Sequence, residues 1–76
     1  MKIKPRTYYK KYYPTKTNGY KIFYTDNKYV YCIADVYNNI TRKFDKNFKW
    51  GTIKEWQEFN CKMEEMSKED LFLEFL

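Results

Sequence analysis

Histidine is absent from this chain, and serine occurs once, at Ser67. The first absence removes the commonest general base and the commonest zinc ligand. The second leaves a lone hydroxyl in a helix-cap context. The only two glycines, Gly19 and Gly51, cannot build a glycine-rich phosphate loop. Two cysteines, Cys32 and Cys61, are too few for a zinc cage and read as reduced, structural thiols rather than a disulfide. The carboxylates Glu55, Glu58, Glu64, Glu65, Glu69 and Asp70 fall at helical spacing, which makes a solvated face rather than a catalytic pair. These absences lead to the expectation of a non-enzymatic protein with no cofactor and no metal.

Long apolar runs are also missing. No stretch spans a membrane, and the start, MKIKPRTYYKKYYP, lacks the apolar core of a signal peptide, so a cytoplasmic protein without a membrane partner is expected. In that compartment the Asn39-Ile40-Thr41 glycosylation sequon is a chance match. With only two prolines beside the two glycines, the composition argues against disorder.

What the chain has in quantity is aromatic rings, at 22% of its 76 residues. A chain this short forms one domain and buries only about 60% of the surface its unfolded form exposes, so bulky rings supply core area. Abundant Lys, Asn, Ile, Tyr and Phe, all encoded by AT-rich codons, suggest a bacterial, phage or plasmid source. Charge is divided unevenly. Residues 1–50 hold twelve Lys/Arg against three Asp/Glu, a net +9, and residues 51–76 hold three against seven, a net −4. A basic lobe attracts phosphates or acidic protein, and an acidic lobe repels them.

The organising stretch is Tyr20 to Val36, YKIFYTDNKYVYCIADV, which alternates as a strand, breaks at Asp26-Asn27 and alternates again. Pairing Tyr24 with Tyr29 places Tyr20, Ile22, Tyr24, Tyr29, Tyr31, Ile33 and Asp35 on one face. The other face then holds Lys21, Phe23, Lys28, Val30, Cys32, Ala34 and Val36. Asn38-Asn39 supplies a second two-residue turn, and Ile40 to Phe44 returns so that Asp35 faces Arg42 and Ile33 faces Phe44. Residues 45–49 read as a connection.

Before the hairpin, Tyr8-Tyr9-Lys10-Lys11-Tyr12-Tyr13 lies between Pro5 and Pro14, and its spacing fits either a two-turn helix or an extended arm. After the meander, Thr52-Ile53-Lys54-Glu55 is a capping box. From it a helix follows whose apolar face runs through Ile53, Trp56, Phe59, Asn60, Met63 and Met66. Its Trp56 is expected over Val30, Cys32, Ala34 and Val36. Ser67-Lys68-Glu69-Asp70 caps a short apolar segment, Leu71 to Leu76, that needs burial. The expected fold is α+β: a three-stranded antiparallel meander over 19–44, preceded by a basic Tyr-rich arm or helix over 1–18. An acidic helical region over 52–76, one amphipathic helix and a short C-terminal helix, packs against it.

Binding functions remain. The first expectation is a small inhibitor or regulator, of phage or mobile-element type, that docks on a larger nucleic-acid-handling protein or nucleoprotein complex through a basic, Tyr-rich surface. Candidate binding residues are Lys10, Lys11, Tyr12, Tyr13, Tyr29, Tyr31, Arg42, Lys43 and Lys46. The alternatives are direct binding of single-stranded DNA or RNA, with Tyr20, Tyr24, Tyr29 and Tyr31 stacking on bases, and a homodimeric structural subunit.

Overall fold

The computed structural model describes residues 2–13, 18–59 and 63–75, except for the side chains of 45–47. Its class is α+β, and its centre is an antiparallel sheet. The strands are β1 (Tyr8–Tyr12), β2 (Gly19–Thr25), β3 (Tyr29–Tyr37), β4 (Ile40–Thr52) and β5 (Glu64–Glu65), in spatial order β4-β3-β2-β1-β5. Two helices, α1 (Ile53–Phe59) and α2 (Lys68–Glu74), pack on opposite faces.

The three-stranded expectation is therefore too small, and the error begins with Tyr8 to Tyr13. Of the two expectations, the helix does not form and the extended conformation does, as a strand of the sheet rather than an arm: β1 pairs antiparallel with β2, Tyr8 opposite Tyr24 and Tyr12 opposite Tyr20. Its rings fall on both faces, Tyr9 in the α1 cluster and Tyr8 and Tyr12 on the α2 side, so the alternation that normally marks a strand is lost. Residues 45–49, read as a connection, belong to β4.

The meander itself forms. Asn38 and Asn39 both take positive φ, at 49° and 66°, and Tyr37 pairs with Ile40 across them. Those are the dihedral signs of a type I′ hairpin turn, whose twist matches that of the strands. Asp35 faces Arg42 as expected. The first turn sits one residue later than expected, with Thr25 opposite Val30 and Tyr24 opposite Tyr31. Its fixing element is Asp26, whose Oδ1 accepts from the Lys28 and Tyr29 amides at 2.7 and 2.6 Å. This Asx-type turn gives the chain an alternative to a tight two-residue loop.

Ile33 changes the faces. Ile22 pairs with Ala34 and Phe23 with Cys32, which leaves Ile33 as an extra residue in β3. Such a bulge reverses the alternation beyond it. Ala34 and Val36 move to the tyrosine face, and Asp35 moves to the face of Phe23 and Val30. Opposite the bulge, β4 passes from Lys43 to Phe48 while β3 passes from Ala34 to Cys32, so the expected Ile33–Phe44 pair falls outside the ladder.

The core is split by the sheet. On one face Ile3, Tyr9, Phe23, Val30, Trp56 and Met63 are buried together, with Cys32 and Ile53 packed against them. Trp56 is fully buried, with Phe23 and Tyr9 ring centroids 4.9 and 5.8 Å away. Its helix begins where the capping box predicts: Glu55 N–H donates to Thr52 Oγ1 at 3.2 Å and Thr52 N–H donates to Glu55 Oε1 at 3.1 Å. The helix closes at Phe59, which is exposed, so the long apolar face drawn through Met66 does not form; Asn60 lies outside the described residues. Met63 and Met66 are both buried, but in different clusters on opposite faces. Between them Glu64 and Glu65 pair with Lys10 and Tyr9, and Met66 N–H donates to the Tyr8 carbonyl at 3.0 Å. The open edge of β1 thus gains a partner, which a longer helix would have denied it, and the chain crosses from one face to the other.

On the second face Ile22, Ala34 and Met66 are buried, with Tyr8, Tyr20, Ile33 and Leu71 against them. Ser67 caps α2 through a reciprocal box with Asp70. Of the Leu71 to Leu76 segment, Leu76 lies outside the described residues, and the rest is buried less than its composition suggests. Leu71 is half-buried, whereas Phe72, Leu73 and Phe75 stay exposed.

Candidate functional site

The α2 face uses most of its tyrosines internally. Tyr20 OH donates a short hydrogen bond to Glu74 Oε1, and Lys10 Nζ lies 3.9 Å from the same oxygen and 4.3 Å from the Tyr20 ring centroid. Lys43 Nζ donates to the Glu74 carbonyl at 3.0 Å and sits 5.7 Å from the Phe75 ring. Tyr8 rests against Tyr24 at 4.7 Å and Phe75 at 5.9 Å. Tyr12 meets Tyr20 edge-on. Burial and the Glu74 carboxylate push the Tyr20 hydroxyl well above the ordinary tyrosine range.

Near the first turn the remaining rings are also engaged. Tyr31 OH donates to Asp26 Oδ2 at 2.9 Å, and Lys49 Nζ stands 3.7 Å over the Tyr29 ring. The amide donors of Tyr29 and Lys28 hold the Asp26 carboxyl below its usual value, aided by Tyr31 and Lys49.

The α1 face offers a different surface. Seven residues of helix cover only the part above Phe23 and Val30. The rest of that face carries Lys11, Tyr13, Lys21, Asp35, Tyr37 and Arg42 by the strand alternation and register. Tyr13 OH donates a short hydrogen bond to Asp35 Oδ1, and Tyr37 packs edge-on against Tyr13 at 5.1 Å. Lys21 Nζ lies 5.8 Å from the Tyr13 ring. Desolvation, with the Asp35 bond second, pushes the Tyr13 hydroxyl up to about 12. Tyr13, Asp35, Tyr37, Ile40 and Arg42 line an open depression of about 350 Å³. Arg42 is exposed and has no ion-pair partner among the described residues.

Of the residues singled out from sequence, Lys11, Tyr13 and Arg42 therefore come together on the uncovered part of the α1 face. Lys10, Tyr12, Tyr29, Tyr31 and Lys43 lie on the other face, with Lys10 and Lys43 bound to α2. The Lys46 side chain falls outside the described residues. Sequence reasoning missed Lys21, Tyr37 and Ile40. Lys21 was set on the Val30 face, but Asp35 and the arm were not, so no cluster was visible there. It also missed Lys49 and the apolar flank beside α1, where exposed Trp50 and Phe59 meet at 6.3 Å.

Cys32 is a free, half-buried thiol, and burial raises its pKa, which disfavours the nucleophilic thiolate. Among the described residues no group of acidic or cysteine side chains is placed to hold a metal ion, and no helix is long and apolar enough to cross a membrane. The arrangement has chemistry for recognition: cations beside rings and apolar side chains on a sheet surface. No family model, no curated protein and no solved structure matches this chain.

Proposed function

We propose that this chain is a non-enzymatic binding protein. It docks on a larger nucleic-acid-handling protein, or on that protein's complex with nucleic acid, as an inhibitor or regulator. The observation that carries the reading is the uncovered part of the α1 face together with β4 at the sheet edge. There Tyr13, Asp35, Tyr37, Ile40 and Arg42 line one depression, with Lys21 opposite Asp35 in the neighbouring strand. β4 itself carries Arg42, Lys43, Lys46 and Lys49 against one carboxylate, Asp45. Cations interleaved with exposed rings and aliphatic side chains suit a protein interface, where Tyr, Trp and Arg are the usual anchors. The clustered carboxylates that hold metal ions in nucleases and polymerases, or the phosphates of their bound nucleic acid, are surfaces of the complementary sign.

Direct single-strand binding is the weaker reading, because Tyr20, Tyr24, Tyr29 and Tyr31 are half-buried and already contact neighbouring groups. Base stacking needs free ring faces.

A photo-crosslinking residue placed at position 42, with a control at Glu58 on exposed α1, tests the proposal in a bacterial host. Expected is one stoichiometric nucleic-acid-handling partner captured from position 42 and absent from position 58. Equal capture from both positions, or none, removes the reading. Fluorescence anisotropy with single-stranded oligonucleotides at about 50 and 200 mM salt completes it, since phosphate-driven binding collapses over that range. Tight binding that survives the higher salt replaces the protein-directed reading with the stacking one.

A further inference from the structure

We infer that the first stretch of β4, Ile40 to Lys43, is a seat for strand addition, and that its occupant is an acidic, extended segment of a partner protein. The inference rests on the reading of the chain as a protein-binding module and specifies how the docking is made.

β4 is the terminal strand of the sheet, so one side of its backbone faces no other strand among the described residues. In a two-residue hairpin the flanking pair, here Tyr37 and Ile40, exchanges both of its hydrogen bonds. Alternation then turns the N–H and C=O groups of Thr41 and Lys43 away from β3. These outward groups form the template that an incoming strand requires. Just beyond Lys43 the register jumps to Phe48, which ends the seat after four residues.

The two faces beside this seat are both hollow. The depression of about 350 Å³ lined by Ile40, Arg42 and Tyr37 lies on the α1 side. An open groove of about 520 Å³, lined by Lys43, Phe44, Ile33 and Phe75 among others, lies on the α2 side. Successive side chains of an added strand point alternately to these two sides. In the first hollow Arg42 lies opposite Asp35, whose carboxylate accepts from Tyr13, and makes no ion pair among the described residues; in the second Lys43 gives one hydrogen to the Glu74 carbonyl and keeps others, so each hollow accepts an apolar side chain with a carboxylate beside its cation.

Charge selects the occupant. A second copy of this chain would bring its own Arg42, Lys43, Lys46 and Lys49 against the same residues, and like charges facing across strands are unfavourable. Lysines on an edge strand are a recognised guard against self-pairing. The same lysines attract an acidic strand.

The test uses isotope-labelled full-length protein titrated with a peptide of about eight residues repeating Val-Val-Glu-Glu, which presents both residue types to each side, with a Val-Val-Lys-Lys peptide of equal length as control. Expected are roughly tenfold or tighter preference for the acidic peptide and roughly tenfold or greater slowing of amide exchange at Thr41 and Lys43. Thr41→Pro removes an outward donor without touching a ladder bond. It is expected to weaken binding at least about tenfold while Thr41→Ala, which keeps the N–H, leaves it unchanged. Circular dichroism confirms that both variants fold; should Thr41→Pro not, Arg42→Glu with Lys43→Glu is expected to reverse the peptide preference.

No amide response at millimolar peptide, equal binding of the two peptides, or protection of Thr41 by self-association overturns the inference. A crosslinked partner whose binding ignores Thr41→Pro overturns it too, while leaving the proposed function standing. Binding of the acidic peptide that depends on Thr41, with no nucleic-acid-handling partner captured, does the reverse.

Discussion

Two seven-residue helices cover one sheet, and they are held by different physics. On one face α1 inserts Trp56 into a dry cluster with Tyr9, Phe23 and Val30, all buried. On the other face α2 buries none of its residues completely and is held through Glu74, which meets Tyr20, Lys10 and Lys43. Burial of a large ring is insensitive to pH and salt, whereas a carboxylate and a phenol near the surface respond to both. The comparison teaches that α1 belongs to the folding core and α2 is a cover whose attachment can be tuned separately. It also explains where binding surface is left: α1 is too short to span its face, and the strip it leaves bare carries Arg42 and Tyr37.

The largest break in this contrast comes from Trp56→Ala. Emptying a fully buried indole site costs about 3–5 kcal/mol, comparable with the whole stability of a domain this small. Urea titration followed by circular dichroism is expected to find the variant mostly unfolded without denaturant. A loss below about 1 kcal/mol would place the core elsewhere.

Gly19→Ala attacks what both faces share, the β2–β3 register. Gly19 has φ of 130°, and a Cβ there would stand 1.8 Å from the Val36 carbonyl oxygen. Strain of about 1–3 kcal/mol from the backbone alone, plus that overlap, is expected in thermal melts. Both helices should lose protection together, unlike in a variant of the α2 cover.

Tyr20→Phe sharpens the contrast at lower cost, about 0.5–1.5 kcal/mol for one lost hydrogen bond. Amide exchange should quicken in α2 and stay unchanged in α1. The pH dependence has a fixed sign. Folding raises the Tyr20 pKa, so its contribution is complete below the unfolded tyrosine value near 10 and is lost as pH rises above it. Alkaline titration is therefore expected to loosen α2 before α1, and less so in Tyr20→Phe, where the raised phenols Tyr13 and Tyr31 remain.

The smallest effect is at the acid end. Folding lowers the Asp26 pKa, so its contribution is present above about pH 4 and fades as pH falls. In Asp26→Asn the melting temperature should decline less between neutral and acid pH than in the parent chain.

Both capping boxes, the Asn38-Asn39 turn and the Asp35–Arg42 pair were legible because each depends on neighbours in sequence and on one local geometry. β1 was not, because a strand with rings on both faces shows no alternation of apolar and polar residues, and Tyr-Tyr-Lys-Lys-Tyr-Tyr satisfies helical spacing equally well. The candidate site was half legible. Arg42 and Tyr13 were marked by charge and aromaticity, but Lys10 and Lys43, marked on the same grounds, turned out to bind α2.

By itself, then, the sequence determined the α+β class, the helix starts, the second hairpin and the split between basic and acidic segments. Caps, turns and charge balance are properties of a few consecutive residues. Only the tertiary structure decided the Ile33 bulge, the crossing of Met63 and Met66 to opposite faces and the strip that α1 leaves bare. One extra residue in a strand reverses every side chain beyond it, and nothing in Cys32-Ile33-Ala34-Asp35 signals where the two layers will demand that reversal.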